Sequence, residues 1–124
     1  LHHDRSFLVS VLDGIRREAA ALGLFISERK THITPLRQGF TFCKIRYSFT
    51  PSGRLLMRPV RETFTRERRR LKTLYGLALC GKISITDYRE LYHSWRSGWI
   101  RFDCHRSLLS LDKTYRRYLD DLQY

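Results

Sequence analysis

The segment from residue 54 to residue 72 holds the side chains best suited to chemistry in this sequence, and that chemistry is phosphate binding. Its basic residues are Arg54, Arg58, Arg61, Arg66, Arg68, Arg69, Arg70 and Lys72. The planar guanidinium group forms paired hydrogen bonds to phosphate oxygens, and here only Glu62 and Glu67 compensate the charge. Spacings of three and four residues place Arg66, Arg69 and Arg70 on one helix face. We predict contact with a nucleic-acid backbone, and a solvated helix face is the alternative.

Two adjacent aspartates near residue 120 invite comparison with polymerase active sites. Tyr118-Leu119-Asp120-Asp121 resembles the paired-aspartate motif of enzymes that hold two metal ions. That chemistry requires the aspartates at a tight turn between two strands, facing a further carboxylate. Here the surrounding pattern is that of an amphipathic helix. We therefore predict that Asp120 and Asp121 lie on an exposed helix face and take no part in catalysis.

Patterns for metal binding or nucleophilic catalysis are weak in this sequence. Cys104-His105 and His2-His3 are adjacent pairs, whereas zinc ligands are usually separated by two to four residues. No local signature accompanies a Cys–His nucleophilic pair, and the seven glycines are too scattered for a phosphate-binding loop. We predict no metal site and no cofactor bound by this chain.

The elements that carry these residues belong to a folded, strongly basic chain. Its 124 residues include 24 Lys and Arg against 12 Asp and Glu, a formal charge of +12, and 42% are hydrophobic. A folded domain of this charge usually faces a polyanion, either a nucleic acid or an anionic membrane surface. No apolar run is long enough to span a bilayer, and no signal peptide is expected. Three widely spaced cysteines predict reduced thiols and a cytoplasmic protein.

The beginning of the chain predicts one helix and two short strands. Apolar residues recur at helical spacing over residues 5–22, with Asp4 as the N-cap and Gly23 just after the last turn. The short apolar runs at 24–26 and 32–34 predict strands, separated by a polar stretch.

Residues 40–49 alternate in the manner of a strand, but the alternation shifts by one residue. One predicted face holds Phe40 and Phe42, and the other holds Cys43, Ile45, Tyr47 and Phe49. The shift indicates a bulge or two abutting strands. The Pro-Ser-Gly sequence at 51–53 predicts a turn, after which residues 54–58 pair back as a hairpin arm.

After Pro59 the apolar period becomes helical. It predicts a helix over 61–79, a second helix opened by Ser84 with Asp87 as capping-box partner, and a third capped by Asp103. The sequence thus predicts an α+β fold, in which one helix and short antiparallel strands precede a three-helix bundle.

Four short motifs, in order, resemble the reverse transcriptases of the retron and group II intron type. Residues 22–35 read Leu-Gly-Leu-Phe-Ile-Ser-Glu-Arg-Lys-Thr-His-Ile-Thr-Pro, where the family shows Leu-Gly-Leu-x-(Leu/Ile)-Ser-x-x-Lys-Thr-x-Ile-x-Pro. Residues 39–44 read Gly-Phe-Thr-Phe-Cys-Lys, where the family shows Gly-(Ile/Phe)-x-Phe-Leu-Gly. Gly-Lys-Ile at 81–83 and Ser-Trp-Arg-Ser-Gly at 94–98 are similar to two elements of the family's helical thumb. The resemblance covers nearly the whole chain.

The resemblance implies roles for individual residues. Lys30 matches a lysine proposed to protonate the leaving pyrophosphate, as an auxiliary general acid of the whole enzyme. Phe42, Cys43 and Lys44 match the primer-grip element, although Lys44 stands where the family has glycine. Trp95 is expected in the thumb core. The basic residues of 54–72 would hold the template–primer duplex.

The resemblance further implies that residues 1–59 are the end of a polymerase palm with its primer-grip hairpin, and that 60–124 are the thumb. The catalytic aspartates and their magnesium are expected upstream of Leu1, so we expect a fragment that cannot polymerise alone. Its expected partners are an RNA template, the RNA–DNA duplex and the remaining fingers and palm, with no membrane. The alternatives are a stand-alone basic RNA-binding module and a helical interaction protein.

Overall fold

The chain folds as two units, residues 1–38 and residues 39–124, in a computed structural model that describes all 124 residues. The first unit is built on helix α1, Arg5–Ala21. The Asp4 carboxylate accepts hydrogen bonds from the amides of Ser6 and Phe7, which confirms the predicted N-cap. No residue of this unit is buried: Phe7, Val11 and Ile15 of the apolar stripe of α1 are exposed, whereas Leu8 and Leu12 are half-buried.

The strands predicted at 24–26 and 32–34 are wrong. Both segments lack strand structure, and the chain between and after them forms two short 3-10 turns, Glu28–Lys30 and Leu36–Gln38. A strand requires a neighbour that takes its backbone hydrogen bonds, and neither segment pairs with another in this unit. Short apolar runs alone do not supply that neighbour.

The second unit begins with a three-stranded antiparallel sheet of order β1-β2-β3. Its strands are β1, Phe40–Phe42, β2, Ile45–Phe49, and β3, Leu55–Pro59. Because Phe40 pairs with Tyr47 and Phe42 pairs with Ile45, the phenylalanines share a face with the apolar residues of β2. The prediction that they lie on opposite faces is wrong. Of the two explanations of the shift in alternation, the two abutting strands are confirmed and the bulge is not, because a hairpin turn separates β1 from β2.

The turn between β1 and β2 consists of Cys43 and Lys44, both in the left-handed region with φ of 49° and 65°. Two-residue hairpin turns of this kind require positive φ at both positions, which glycine and asparagine adopt most easily. Gly39, at φ 67°, is required for another reason, because a Cβ there would lie 2.5 Å from the carbonyl oxygen of Tyr47. The turn from β2 to β3 and the returning hairpin arm are as predicted.

Three helices follow the sheet: α2, Arg61–Leu79, α3, Ile85–Ser97, and α4, His105–Gln123. Ser84 and Asp87 form the predicted capping box at the start of α3. The core lies between the three helices, where Leu71, Tyr88, Tyr92 and Leu111 are fully buried. The rings of Tyr92 and Tyr115 stack 4.3 Å apart at the centre.

An ion pair ties α3 to α4 at the edge of this core. Arg96 donates from Nε and Nη2 to the two carboxylate oxygens of Asp112, at 2.8 Å and 2.9 Å. The hydroxyl group of Tyr92, whose ring is fully buried, donates to the same carboxylate at 2.7 Å. Arg96 and Tyr92 both donate to Asp112, so the three side chains form one hydrogen-bond network.

The prediction that Asp103 caps α4 is wrong. The N-cap is Cys104, without a side-chain hydrogen bond, and Asp103 instead binds the outer edge of β3. Its carboxylate accepts from the amide of Met57 and from Arg54, each at 2.9 Å, and its own amide donates to the carbonyl of Met57. An edge strand leaves backbone groups unpaired, and Asp103 satisfies two of them.

The observed architecture is therefore α+β, one helix and short antiparallel strands followed by a helical bundle, as predicted. The sheet and the bundle belong to the same unit. No helix in the chain combines the length and apolar character needed to cross a lipid bilayer.

Candidate nucleic-acid interface

The packing of α2 divides its basic residues among three directions. Phe64, Leu71 and Leu74 face the core, so the positions on either side of them point along the two flanks of the helix. Arg61 and Arg68 lie on one flank and Arg66 and Arg70 on the other, whereas Arg69 and Lys72 are exposed and line neither flanking cavity. Arg66 and Arg70 thus share the predicted face, and Arg69 points away from it.

One flank of α2 forms a groove in which arginines from three separate segments meet. Arg58 comes from β3, Arg61 and Arg68 from α2, and Arg106 from the first turn of α4. Two adjoining cavities of about 420 Å³ and 710 Å³ share Arg106 and Ser107 as walls, the first lined also by Arg61 and Arg68 and the second by Arg58. We call these four residues and their cavities the arginine groove.

The charge of the arginine groove is almost uncompensated. Arg58, Arg61 and Arg106 take part in no ion pair, and Arg68 donates only to the hydroxyl oxygen of Ser110, at 3.2 Å. The single carboxylate in its walls, that of Asp103, is bound to Arg54 and to a backbone amide. The groove therefore presents several guanidinium groups whose natural complement is a row of phosphates.

The start of α4 adds to the positive potential of the groove. Cys104 provides no side-chain cap, and the first turn contains no acidic residue. The backbone N–H groups at the beginning of the helix have no acceptors within it, and the helix dipole places partial positive charge there. His105, Arg106 and Ser107 of this turn line the groove, so an anion there meets both side-chain and backbone donors.

The other flank of α2 forms a smaller cleft of about 300 Å³ with a mixed lining. We call it the tryptophan cleft, because it contains both tryptophans of the chain, Trp95 and Trp99. Lys44, Arg66 and Arg70 bring positive charge to its walls. Trp95, expected in the core, also packs edge-on against Phe64 and is half-buried.

Two polar groups of α2 are held in unusual states beside the tryptophan cleft. The Glu67 side chain is only 3% exposed, and its burial raises the pKa of the carboxyl group against the opposing effect of Arg70, which donates to it at 3.2 Å. The Thr63 hydroxyl is buried without a hydrogen-bond partner. A buried hydroxyl of this kind costs stability until it finds a partner.

The remaining residues of the second unit that the sequence singled out do not line the arginine groove, and Lys30 belongs to the first unit. Lys30 is exposed on a 3-10 turn of the first unit, and Arg54 is engaged by Asp103. Phe42 and Cys43 lie at the tip of the first hairpin, where Phe42 is 64% exposed and Lys44 reaches the tryptophan cleft.

The aspartate pair and the cysteines show no catalytic arrangement. Asp120 is exposed on α4, as predicted, and Asp121 accepts a hydrogen bond from the hydroxyl group of Tyr75. Cys104 is buried, donates to the carbonyl of Trp99 at 3.3 Å, and has a raised thiol pKa because of its burial. No group of three or more His, Cys, Asp and Glu side chains is placed to hold a metal ion.

Sequence reasoning missed Arg106 and Trp99 as members of these surfaces. Arg106 lies 38 positions after Arg68, outside the basic segment. The sequence does contain a signal for Arg106. Arg106 and Ser110 are four residues apart, so they lie on one face of α4, beside the apolar stripe that contains Leu108. Trp99 follows the end of α3, where helical spacing no longer indicates its direction.

Comparisons of the chain with known proteins found no match. No protein-family model matches the chain, and neither a curated protein nor a solved structure shows significant similarity to it.

Proposed function

We propose that this protein binds the phosphate backbone of a nucleic acid through the arginine groove. The observation that carries the proposal is the convergence of Arg58, Arg61, Arg68 and Arg106, from three segments, on two adjoining cavities with no free carboxylate. A diffuse solubilising charge does not require such convergence. Successive phosphates of a polynucleotide would match a row of guanidinium groups and an uncapped helix start.

The preferred ligand in this proposal is an RNA–DNA duplex, held by shape and charge. Side chains cannot read the deep major groove of an A-form helix, so contacts to such a duplex fall mainly on phosphates and sugars. This is the role that the resemblance to reverse transcriptases gives to a thumb, and it leads us to propose that the chain acts as the palm–thumb portion of an RNA-directed DNA polymerase. A stand-alone RNA-binding module would use the same groove.

In that context, the proposal assigns further roles to the rest of the chain. Phe42, Cys43 and Lys44 form the tip of a hairpin suited to approach a primer end, and Lys30 remains a candidate general acid. Magnesium and its carboxylates would come from outside this chain. A cytoplasmic location goes with the proposal, since all three cysteines are unpaired.

In this proposal, the exposed residues of the α1 stripe contact the remaining fingers and palm of the polymerase. Phe7 and Ile15 are each about half exposed, and they lie on the same stripe of a helix whose unit has no buried residue. A stripe of this kind is typical of a protein–protein interface. A helical interaction protein would use α1 in the same way, so the nucleic-acid experiment below separates the two.

The test compares two double variants that remove the same charge from the same helix. Arg61→Ala/Arg68→Ala alters the groove, and Arg69→Ala/Lys72→Ala alters the exposed outer side of α2. Each lost phosphate contact lowers the log–log salt slope by about 0.7 to 0.9, so we expect the groove variant to lose roughly 1.5 units of slope and more than tenfold in affinity at 0.1 M salt. The outer variant should change both quantities much less.

Binding is measured by fluorescence anisotropy with a labelled 12-base-pair RNA–DNA hybrid at four salt concentrations. A B-form DNA of the same sequence is the second ligand, and we expect it to bind no better than the hybrid. Equal losses in the two variants would mean that overall charge alone governs binding. Unchanged affinity in both would leave the helical interaction protein as the better interpretation.

A further inference from the structure

We propose that the tryptophan cleft binds a single unpaired nucleotide, with the base stacked on an indole ring and the phosphate held by Lys44 and Arg66. This inference concerns recognition of a base, goes beyond backbone binding, and does not depend on the arginine groove. The cleft is on the opposite flank of α2 from the groove, and the two share no wall residue.

The size and walls of the cleft suit a nucleotide. Its volume of about 300 Å³ is at the lower end of small-molecule pockets. Trp95 and Trp99 are both half-buried and both line it, with ring centroids 6.2 Å apart and planes tilted by 49°. The tilt leaves no parallel slot between the rings, so a base would stack on one indole face, as unpaired bases do on aromatic side chains.

The polar groups of the cleft supply the edge contacts that a base requires. Thr63 has a buried hydroxyl with no partner in the protein, and Glu67 has a carboxylate satisfied only by Arg70. A base edge offers both donors and acceptors, so a rotation of the Thr63 side chain toward the cleft would let the base bond to the hydroxyl, and the base would also use the carboxylate lone pairs that Arg70 leaves. A purely apolar occupant would leave both groups unsatisfied.

The charged residues that line the cleft favour an anionic ligand. Arg70 is engaged by Glu67, whereas Lys44 and Arg66 take part in no ion pair. Glu62 is the other carboxylate of the lining and bonds with neither of them. Two unpaired cations beside an indole are the complement of a nucleoside monophosphate, which joins a flat ring to a phosphate.

The chain carries its own reporter for this site, because both of its tryptophans line the cleft. We would titrate the whole protein with adenosine monophosphate and follow tryptophan fluorescence on excitation at the red edge of indole absorption. Ribose 5-phosphate and inorganic phosphate serve as base-free ligands. We expect saturable quenching by the nucleotide, with a dissociation constant on the order of 1 mM, and little or none by the base-free ligands.

Two variants separate a ligand site from a structural role. Thr63→Val removes a hydroxyl that makes no hydrogen bond, so the melting temperature should stay the same or rise while nucleotide affinity falls about fivefold or more. Trp99→Leu should lower affinity by a similar factor, with Trp95 still present as the reporter. The matched control is Arg61→Ala/Arg68→Ala, which alters the arginine groove and should leave nucleotide quenching unchanged.

Three results would overturn the assignment. Absence of saturable quenching up to 20 mM nucleotide would show that the cleft takes no such ligand. Equal quenching by ribose 5-phosphate would show that the base is not recognised. Unchanged nucleotide affinity in a folded Thr63→Val protein would remove the hydroxyl from the site. None of these outcomes bears on duplex binding by the groove, so failure here and failure of the proposed function are distinguishable.

Discussion

Replacing Asp112 by Ala should destabilise the second unit more than the loss of a surface ion pair would. The Asp112 carboxylate accepts three hydrogen bonds, two from Arg96 and one from the buried Tyr92 hydroxyl, and thereby links α3 to α4. Its side chain is 14% exposed and that of Arg96 is 28% exposed, so neither charge is fully solvated in the folded state.

The expected magnitude follows from the groups left behind. Removing one partner of a buried ion pair costs about 3–5 kcal/mol, and the partial exposure of Arg96 favours the lower end because water can solvate it. The Tyr92 hydroxyl would also be left without an acceptor, a cost of about 1–3 kcal/mol that a water molecule can reduce. We expect a loss of about 3 kcal/mol, which lowers the melting temperature of a unit of this size by roughly 12–24 °C.

The effect should depend on pH in a definite direction. The hydrogen bonds from Arg96 lower the pKa of Asp112 below its ordinary 3.8, so the folded state holds the ionised form more firmly than the unfolded state does. The stability that the lowered pKa of Asp112 contributes is fully present above pH 3.8. It is lost as the pH falls through the folded-state pKa of Asp112. The difference in stability between wild type and Asp112→Ala should therefore be largest near neutral pH and shrink below pH 3.8.

Urea unfolding followed by tryptophan fluorescence suits this measurement, because Trp95 and Trp99 both belong to the second unit. Asp120→Ala is the matched control, since it removes an exposed aspartate from the same helix and should cost less than about 0.5 kcal/mol. A loss below 1 kcal/mol for Asp112→Ala, or a loss that is the same at pH 7 and pH 2.5, would refute the reasoning.

Three further predictions concern other parts of the chain. Replacing Lys44, at φ 65°, by Gly should relieve left-handed strain and stabilise the second unit by about 0.5–1 kcal/mol in urea unfolding, while a destabilised variant would show that the turn is unstrained. In the folded protein a thiol reagent should modify the exposed Cys43 and Cys80 within minutes and Cys104 only in denaturant, because burial shields that thiol and raises its pKa; rapid modification of three thiols would contradict this. The 124-residue chain should incorporate no nucleotide on a primed RNA template with magnesium, and incorporation that Asp120→Asn abolishes would overturn the surface assignment of the aspartate pair.

The elements with a strong local signal were predictable from sequence. The three helices of the bundle, the Ser84 capping box and the Asp4 cap depend on residues two to four positions apart, and these contacts form within the element itself. Strands were harder. Residues 24–26 and 32–34 have suitable composition but no partner, and the first hairpin turn lacks the glycine or asparagine that usually marks one.

The candidate sites, too, were only partly predictable from the sequence. The sequence by itself determined that the chain is strongly basic and rich in arginine, with a dense run of basic residues in the segment 54–72. It could not decide which arginines act together, because Arg58 and Arg106 reach the flank of α2 only once the sheet and α4 have packed against it.

Tertiary structure alone also decided what surrounds each group. It placed Asp103 on an edge strand instead of a helix end, and it brought Thr63, Trp95 and Trp99 together around one cleft. The physical reason is that periodicity specifies the direction of a side chain relative to its own helix, whereas a binding site needs side chains from several elements to face one volume. That convergence depends on how the helices and the sheet pack, which is a property of contacts between residues distant in sequence.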